Sequence, residues 1–376
     1  MGSIFSEKIR AAKNQPNSMS IFFMMAILLL VVIGGCGFPI KPEPMVFVHE
    51  DEIVRRGEFV VLADRRIFTM MAFLNATGYD LESYGVEMHP VRVRVRRMLR
   101  EKEVQFPDKF REWKKYYKRK RYQICVYIDY TLSLCTDYPF RRIRPYDELG
   151  FFNTIFLLAD FPEVLNDFWE TTDLETIWAK VKPDYVAEIG DYDIDEMERT
   201  LPFIWQYLRM QRRDSSTIVH VPNLLEAHYA AYCVRYENYI FSVESPGSNT
   251  KGFNIHEYLH TFVNDIVNEH YHRYARKLRA YYPAGKDEKL SDAYPEAFTS
   301  ECLIRALDRR MRILLTDDPA TKRKQENIAR NISSQGLTLT YPFFQCLSDF
   351  EKSNLSFDEF LPQMLETLPE FAPDSK

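Results

Sequence analysis

The chain has 376 residues, of which 46% are hydrophobic, 14% aromatic and 27% charged, a composition typical of a globular protein. Its formal net charge of −5 excludes nucleic-acid binding driven by overall electrostatic attraction. Apart from Cys36 there are five cysteines, and an odd number argues against a complete disulfide framework.

An apolar run begins the chain, from Ile21 to Ile33, and Lys8, Arg10 and Lys13 precede it. Its thirteen residues suit the core of a signal peptide and are short for a transmembrane helix. We therefore predict a signal peptide over residues 1–35. The alternatives are a plain secretory signal without lipidation and a single N-terminal anchor helix.

The apolar run ends at Ile33-Gly34-Gly35-Cys36, which resembles the lipobox of bacterial lipoproteins. In that motif the cysteine becomes the lipidated first residue of the mature protein. We predict lipidation at Cys36, followed by a proline-containing tether to residue 45. Residue 37 is glycine, and not the aspartate that favours inner-membrane retention. The predicted location is therefore the bacterial cell envelope, as an outer-membrane lipoprotein held to the membrane by its N-terminal lipid.

The mature chain is divided here into an N-terminal mixed α/β region, 46–140, and a C-terminal domain, 141–376. Residues 45–62 are expected to be partly strand, and residues 66–76 are expected to form a helix that stops at Gly78.

Two basic segments follow. Valine and arginine alternate over residues 91–96, which fits either a strand with one basic face or the start of a basic helix. Residues 110–121 interleave lysine and arginine with Tyr116 and Tyr117, a pattern that can mark contact with nucleic acid or anionic lipid. We favour a solvated helix with inward tyrosines, because the chain is acidic and an exported protein rarely meets nucleic acid. No nucleic-acid partner is predicted.

The middle of the chain is rich in apolar and aromatic residues. Residues 122–134 fit either a helix or a strand, and Cys125 and Cys135 beside them can either pair or stay as thiols. Residues 151–178 are predicted to be helical throughout, and residues 183–207 to form one or two further helices.

Two strands are predicted before the next helix, at 216–221 and 236–243, with a loop at 245–249 and a mostly helical segment over 294–368. The predicted fold class is α+β and predominantly helical, with a zincin-like metallopeptidase core and a small edge sheet before the helix described next.

The most specific motif is His256-Glu257-Tyr258-Leu259-His260. Histidines at positions i and i+4 lie on the same face of a helix, so both imidazoles can reach one ion. Glu257 lies beside them, where a carboxylate can take a proton from a metal-bound water. Asn254 is a suitable N-cap, and apolar residues recur at helical spacing through the segment: Ile255, Leu259, Phe262, Val263 and Ile266. This pattern predicts a site for one Zn²⁺.

A catalytic zinc needs a third protein ligand. The next turns contain no histidine at metzincin spacing, so a glutamate on a following helix is the alternative. Glu296 follows Pro295 in the first turn, where the helix dipole alone favours an acid. Glu301 lies more than a turn inside, one turn before Arg305, and we favour it over Glu296. Arg305 can orient the Glu301 carboxylate or bind a substrate carboxylate, or form a simple ion pair.

With these residues in hand, the chain resembles an uncharacterised bacterial family of exported, predicted zinc metallopeptidases of the gluzincin type. The resemblance rests on two stretches, His256-Glu257-Tyr258-Leu259-His260-Thr261-Phe262-Val263-Asn264 and Glu301-Cys302-Leu303-Ile304-Arg305-Ala306. It implies that Glu301 is the third zinc ligand. The Asn-Glu-x-x-Ser-Asp stretch of thermolysin-like enzymes is absent, so a close thermolysin parallel is not expected.

The predicted activity is zinc-dependent hydrolysis of peptide bonds in a peptide or protein substrate, with Glu257 as general base. Candidates for stabilising the oxyanion are Tyr294, His228 and Tyr341. Two other functions compete with a general peptidase: a non-enzymatic surface lipoprotein with a structural zinc helix, and an amidase acting on cell-wall peptides.

Overall fold

The computed structural model describes residues 53–79, 87–144, 158–212, 216–236, 238–248, 254–282, 295–316 and 318–369. The predicted signal peptide, Cys36, the tether and Tyr294 lie outside these residues. Within them, no helix is both long enough and apolar enough to cross a membrane.

The described residues are predominantly helical. The helices are α1 (Arg65–Thr77), α2 (Pro90–Gln105), α3 (Pro107–Arg119), α4 (Ile124–Leu132), α5 (Phe161–Thr172), α6 (Leu174–Gly190), α7 (Ile194–Leu208), α8 (Ile255–Tyr281), α9 (Pro295–Thr316), α10 (Pro319–Ser334), α11 (Thr340–Lys352) and α12 (Phe357–Thr367). The strands are β1 (Ile53–Arg56), β2 (Phe59–Leu62), β3 (Thr217–Pro222), β4 (Ala231–Tyr236) and β5 (Tyr239–Glu244).

The five strands form one mixed sheet in the order β1-β2-β3-β5-β4. The central pairs β2–β3 and β3–β5 are parallel, whereas the outer pairs β1–β2 and β4–β5 are antiparallel. The two N-terminal strands thus share a sheet with three strands from the C-terminal half. Strand β4 ends the sheet on one side, and no further strand pairs with it among the described residues.

Helix α1 has the limits that its sequence predicts. The side chain of Asp64 accepts hydrogen bonds from the amides of Arg66 and Ile67, and Gly78 ends the helix with a left-handed φ of 118°. Asp64 also pairs with Arg66 at 2.6 Å, and both side chains are almost fully buried. The Arg66 guanidinium donates further bonds to the carbonyls of Leu132 and Leu134, so this pair ties α1 to the end of α4.

The alternating segment 91–96 is helical, because it lies within α2. Val91, Val95 and Leu99 recur at a spacing of four and are buried. Helix α3 buries Tyr116 and Tyr117, which confirms the prediction that its tyrosines point inward. The sequence of residues 122–134 fits either a helix or a strand, and in the structure residues 124–132 form the helix α4.

Two predictions of local structure were wrong. The segment 151–178 is not helical throughout: its residues 151–157 lie outside the described part of the chain, and Asp173, with φ 51°, separates α5 from α6. The predicted strand 236–243 spans a hairpin: β4 ends at Tyr236 and β5 begins at Tyr239. Strand β4 is therefore an additional strand that was not predicted. The sequence allows Cys125 and Cys135 either to form a disulfide or to stay as thiols, and in the structure both are free thiols.

The C-terminal helices pack around α9. It contacts α8 on one side and α10 and α11 on another, while α8 also contacts β4 and β5. Cys302, Leu303, Ala306 and Leu307 of α9 are completely buried. The packing of α8 between the sheet and α9 places the His256–His260 turn at the edge of the sheet.

We predict that Asp64→Ala lowers the free energy of unfolding by about 3–5 kcal/mol, because it leaves the buried Arg66 guanidinium without its counter-charge. Urea unfolding monitored by circular dichroism measures this change. The control is Arg56→Ala, since the ion pairs of Arg56 with Asp195 and Glu198 are exposed and should contribute much less. Equal losses in the two variants would contradict the assignment.

Candidate metal centre

The first turn of α8 is fixed by its cap and its apolar stripe. The side chain of Asn254 accepts a hydrogen bond from the Glu257 amide at 3.2 Å, as its sequence position predicts. Ile255, Leu259 and Val263 are buried at a spacing of four residues. This buried stripe fixes the rotation of the helix, and with it the direction in which His256 and His260 project.

Helix α7 holds α8 through Trp205. The indole Nε1 donates a hydrogen bond to the Tyr258 hydroxyl at 3.1 Å, and the Trp205 ring lies 4.8 Å from the Phe262 ring, centroid to centroid. Tyr258 thus fixes this part of α8 from the side opposite His256 and His260, although the His-Glu-x-x-His pattern allows any residue at this position.

Three donor side chains converge between α8 and α9. The two Nε2 atoms of His256 and His260 are 3.3 Å apart. An oxygen of Glu301 lies 3.2 Å from Nε2 of His260 and 3.6 Å from Nε2 of His256. In a tetrahedral centre with metal–ligand distances of about 2.0–2.2 Å, two ligand atoms lie about 3.3–3.6 Å apart. The three separations therefore match the geometry of ligands around one tetrahedral ion.

Among the described residues, this trio alone forms a group of three or more side chains able to hold a metal ion. Glu301 belongs to the group, whereas Glu296, in the first turn of α9, does not. The helical pitch explains the difference. Glu296 lies five residues before Glu301, more than a full turn away along α9.

Two neighbours orient the ligands. The side-chain oxygen of Asn264 lies 3.3 Å from Nδ1 of His260. When this oxygen accepts a hydrogen bond from Nδ1–H, Nε2 of His260 carries no hydrogen and is free to bind an ion. Arg305 donates from Nε to the other oxygen of Glu301 at 2.5 Å. The Glu301 carboxylate thus directs one oxygen at the histidines and one at Arg305. This arrangement favours the orienting role among those considered for Arg305.

The electrostatics of the trio suit cation binding. Burial alone would raise the pKa of the Glu301 carboxyl, but its interactions with His256 and His260 and the charge of Arg305 hold that pKa well below its usual range. Glu301 is therefore ionised at neutral pH. Burial tends to lower the pKa of the His260 imidazole, yet the interaction with Glu301 outweighs it and raises this pKa. A positive charge at this point is thus favoured by the protein.

Glu257 lies beside the trio without joining it. Its nearest carboxylate oxygen is 3.8 Å from Nε2 of His256. Burial raises the pKa of the Glu257 carboxyl, although His256 and His260 act in the opposite direction. A carboxylate with a raised pKa is a stronger base than a fully solvated one, which suits proton transfer near neutral pH.

The cluster is accessible from two cavities. One, of about 490 Å³, is lined by β4 residues 231–234 together with the trio and Glu257. The other, of about 550 Å³, is lined by Glu296, Asn268 and part of the trio. The side chains of the trio are 19–25% exposed. Among the described residues the three donor side chains are thus partly exposed at the walls of the two cavities, which a sealed structural site would not permit.

The two described candidates for an oxyanion donor lie elsewhere. The Tyr341 hydroxyl bonds to Glu326 on α10, and neither Tyr341 nor His228 lines the cavities at the cluster. The cavity wall instead presents Tyr229 and Tyr232, which sequence reasoning missed. The run Ala231–Tyr236 is rich in β-forming residues, so a strand there was a detectable signal.

No protein-family model, curated protein or solved structure matches the chain.

We predict that Glu301→Gln weakens Zn²⁺ binding by more than about 100-fold, the upper end of losses for residues that only orient a ligand. Glu296→Gln, on the same helix and with the same chemical change, should bind zinc like the wild type. Competition with a chromophoric chelator measures both affinities. If Glu296→Gln lost zinc and Glu301→Gln kept it, the third ligand would be Glu296 and not Glu301.

Proposed function

We propose that the chain is a zinc-dependent peptidase with a zincin-like core, in which His256, His260 and Glu301 hold one Zn²⁺. The observation that carries this proposal is the convergence of three donor atoms at 3.2–3.6 Å beside a carboxylate, in an accessible cavity. Two nitrogens and one carboxylate oxygen are a ligand set that catalytic zinc uses, with a fourth position left for the reaction.

Each residue of the cluster has a separate task. Bound zinc would polarise the scissile carbonyl and activate water for attack. Glu257 would accept the proton of the attacking water and deliver it to the leaving amine, for which its raised pKa suits it. Asn264 and Arg305 would keep His260 and Glu301 in the orientation that the reaction requires. Tyr229 and Tyr232 are the hydroxyl donors in the cavity wall that can face a developing oxyanion.

The substrate class follows from β4. This strand ends the sheet and lines the cavity of the cluster. The Ser245 amide donates to the Ala230 carbonyl, so these two residues form a hydrogen-bonded pair. In an antiparallel ladder such pairs alternate with pairs that are not hydrogen-bonded. The N–H and C=O groups of Ala231 and Cys233 therefore point away from β5. An extended peptide could add to this edge by main-chain hydrogen bonds and lie across the donor cluster.

The location of the activity is proposed from the sequence alone. The apolar N-terminal run and the lipobox-like Ile33-Gly34-Gly35-Cys36 support export and lipidation at Cys36. The peptidase would then act at a bacterial envelope membrane, with the outer membrane as the favoured site.

We predict that Glu257→Gln retains zinc but lowers kcat about 10²- to 10⁴-fold, which is the usual contribution of a general base. Metal content and the cleavage rate of a mixed peptide pool are measured on the same preparation. Glu296→Gln is the matched control, because it removes a nearby charge and should keep full activity. Zinc in every variant with no cleavage by the wild type would instead indicate a structural zinc helix.

Main-chain recognition gives a second prediction. N-methylation of one peptide bond in a substrate should lower kcat/KM by up to about tenfold where that amide bonds to β4, since one hydrogen bond contributes about 0.5–1.5 kcal/mol. The loss should alternate along the peptide, because successive amides of a strand point to opposite sides. A series of singly methylated peptides tests this periodicity. An equal loss at every position would contradict addition to the edge of β4.

A further inference from the structure

The helical pair α2–α3 carries a charge that the rest of the molecule does not share. Residues 90–121 contain fourteen arginines and lysines and only four acidic residues, whereas the whole chain has a net charge of −5. A concentration of positive charge of this size on an acidic protein needs a separate explanation.

Part of this charge has an internal role. Arg92 and Arg96 donate to the Asn75 side chain, and Arg96 also donates to the Tyr79 carbonyl, which satisfies groups at the C-terminal end of α1. Arg94 pairs with Asp184 on α6, and Lys109 pairs with Asp167 on α5. These cations hold the pair of helices against the core.

Five other cations of α2 and α3 have no such role. All five are exposed, and none forms an ion pair with a residue in the described part of the chain: Arg97, Arg100, Lys115, Lys118 and Arg119. Exposed cations of this kind are available to an anionic partner.

The turn between the two helices is apolar. Val104 is 82% exposed and Phe106 is 40% exposed, so two large hydrophobic side chains stand in solvent at the tip of a basic hairpin. Exposed apolar side chains next to dense positive charge are typical of proteins that bind membrane surfaces, where the tip enters the acyl boundary and the cations meet the headgroups.

Some cations of the two helices border a common cavity. Lys114 of α3 bonds to Glu103 of α2 at 2.5 Å, which joins the two helices near the tip. A cavity of about 290 Å³ lies between them, and Arg96, Arg100 and Lys114 contribute to its wall. Glu103 also lines this cavity and pairs with Lys114, whereas Arg100 there is exposed and forms no ion pair with a described residue, so it can contact the phosphate group of a lipid.

We propose that the α2–α3 pair is a docking surface for a bilayer that contains anionic phospholipids. Val104 and Phe106 enter the interface, and the exposed arginines and lysines contact headgroup phosphates. Nucleic acid would also satisfy the positive charge, but it offers no apolar medium for the tip. The inference depends neither on the zinc site nor on lipidation at Cys36.

The test places a fluorescent probe at the tip of the full-length chain. In Phe106→Trp, tryptophan emission should shift to the blue and be quenched by brominated lipid in vesicles of phosphatidylcholine with phosphatidylglycerol. Phosphatidylcholine alone should produce neither effect, and added salt should reverse both. Three of the four native tryptophans, Trp113, Trp169 and Trp178, are buried and Trp205 is half-buried, so the unsubstituted chain supplies the background.

The charge is tested in the same chain by Arg100→Gln, Lys115→Gln and Lys118→Gln together. Each cation near an anionic surface contributes about fivefold to partitioning, so the triple change should weaken the contact about a hundredfold. The matched control removes three exposed cations from α10, by Lys322→Gln, Arg323→Gln and Lys324→Gln, and should bind as before. Equal quenching with neutral vesicles, equal losses in both triple variants, or a response to duplex DNA without one to vesicles would overturn the proposal.

Discussion

The packing of α8 against α9 is the contact on which the candidate site depends. Neither helix alone carries a complete donor set, because His256 and His260 belong to α8 and Glu301 belongs to α9. The buried stripe of α8 and the buried residues around Cys302 of α9 fix how far apart and in what rotation the two helices lie. A change in that packing of about one ångström would separate donor atoms that now lie at ligand distances.

The sheet adds the second component of the site. Strand β4 contacts α8 and forms one wall of the cavity at the donor cluster, so the donor side chains and the last strand of the sheet border the same space. The electrostatics also depend on this arrangement. Burial raises the pKa of the Glu257 carboxyl, the two histidines act in the opposite direction, and the nearby Glu301 carboxylate adds a smaller rise. His256, His260 and Arg305 surround the two carboxylates and favour their charged forms.

The molecule separates its charges by region. The donor cluster favours a cation, whereas the α2–α3 pair carries exposed positive charge and an apolar tip at the other half of the chain. If both proposals hold, a membrane surface and a peptide substrate would be bound by different elements, α2 and α3 for the membrane and β4, α8 and α9 for the peptide.

The sequence by itself determined the helix α8, its cap at Asn254 and the pairing of His256 with His260, because these depend on spacing within one helix. It also predicted α1, which ends at Gly78, and favoured Glu301. The β-forming residues of Ala231–Tyr236 favour a strand, but the sequence did not determine where β4 ends and β5 begins, because that boundary depends on the pairing of the two strands across a two-residue turn. The break at Asp173 escaped prediction, since apolar periodicity continues on both sides of it. Only the tertiary structure decided that Tyr229 and Tyr232 line the site while Tyr341 and His228 do not, because contacts between distant segments depend on packing and leave no periodic signal in the chain.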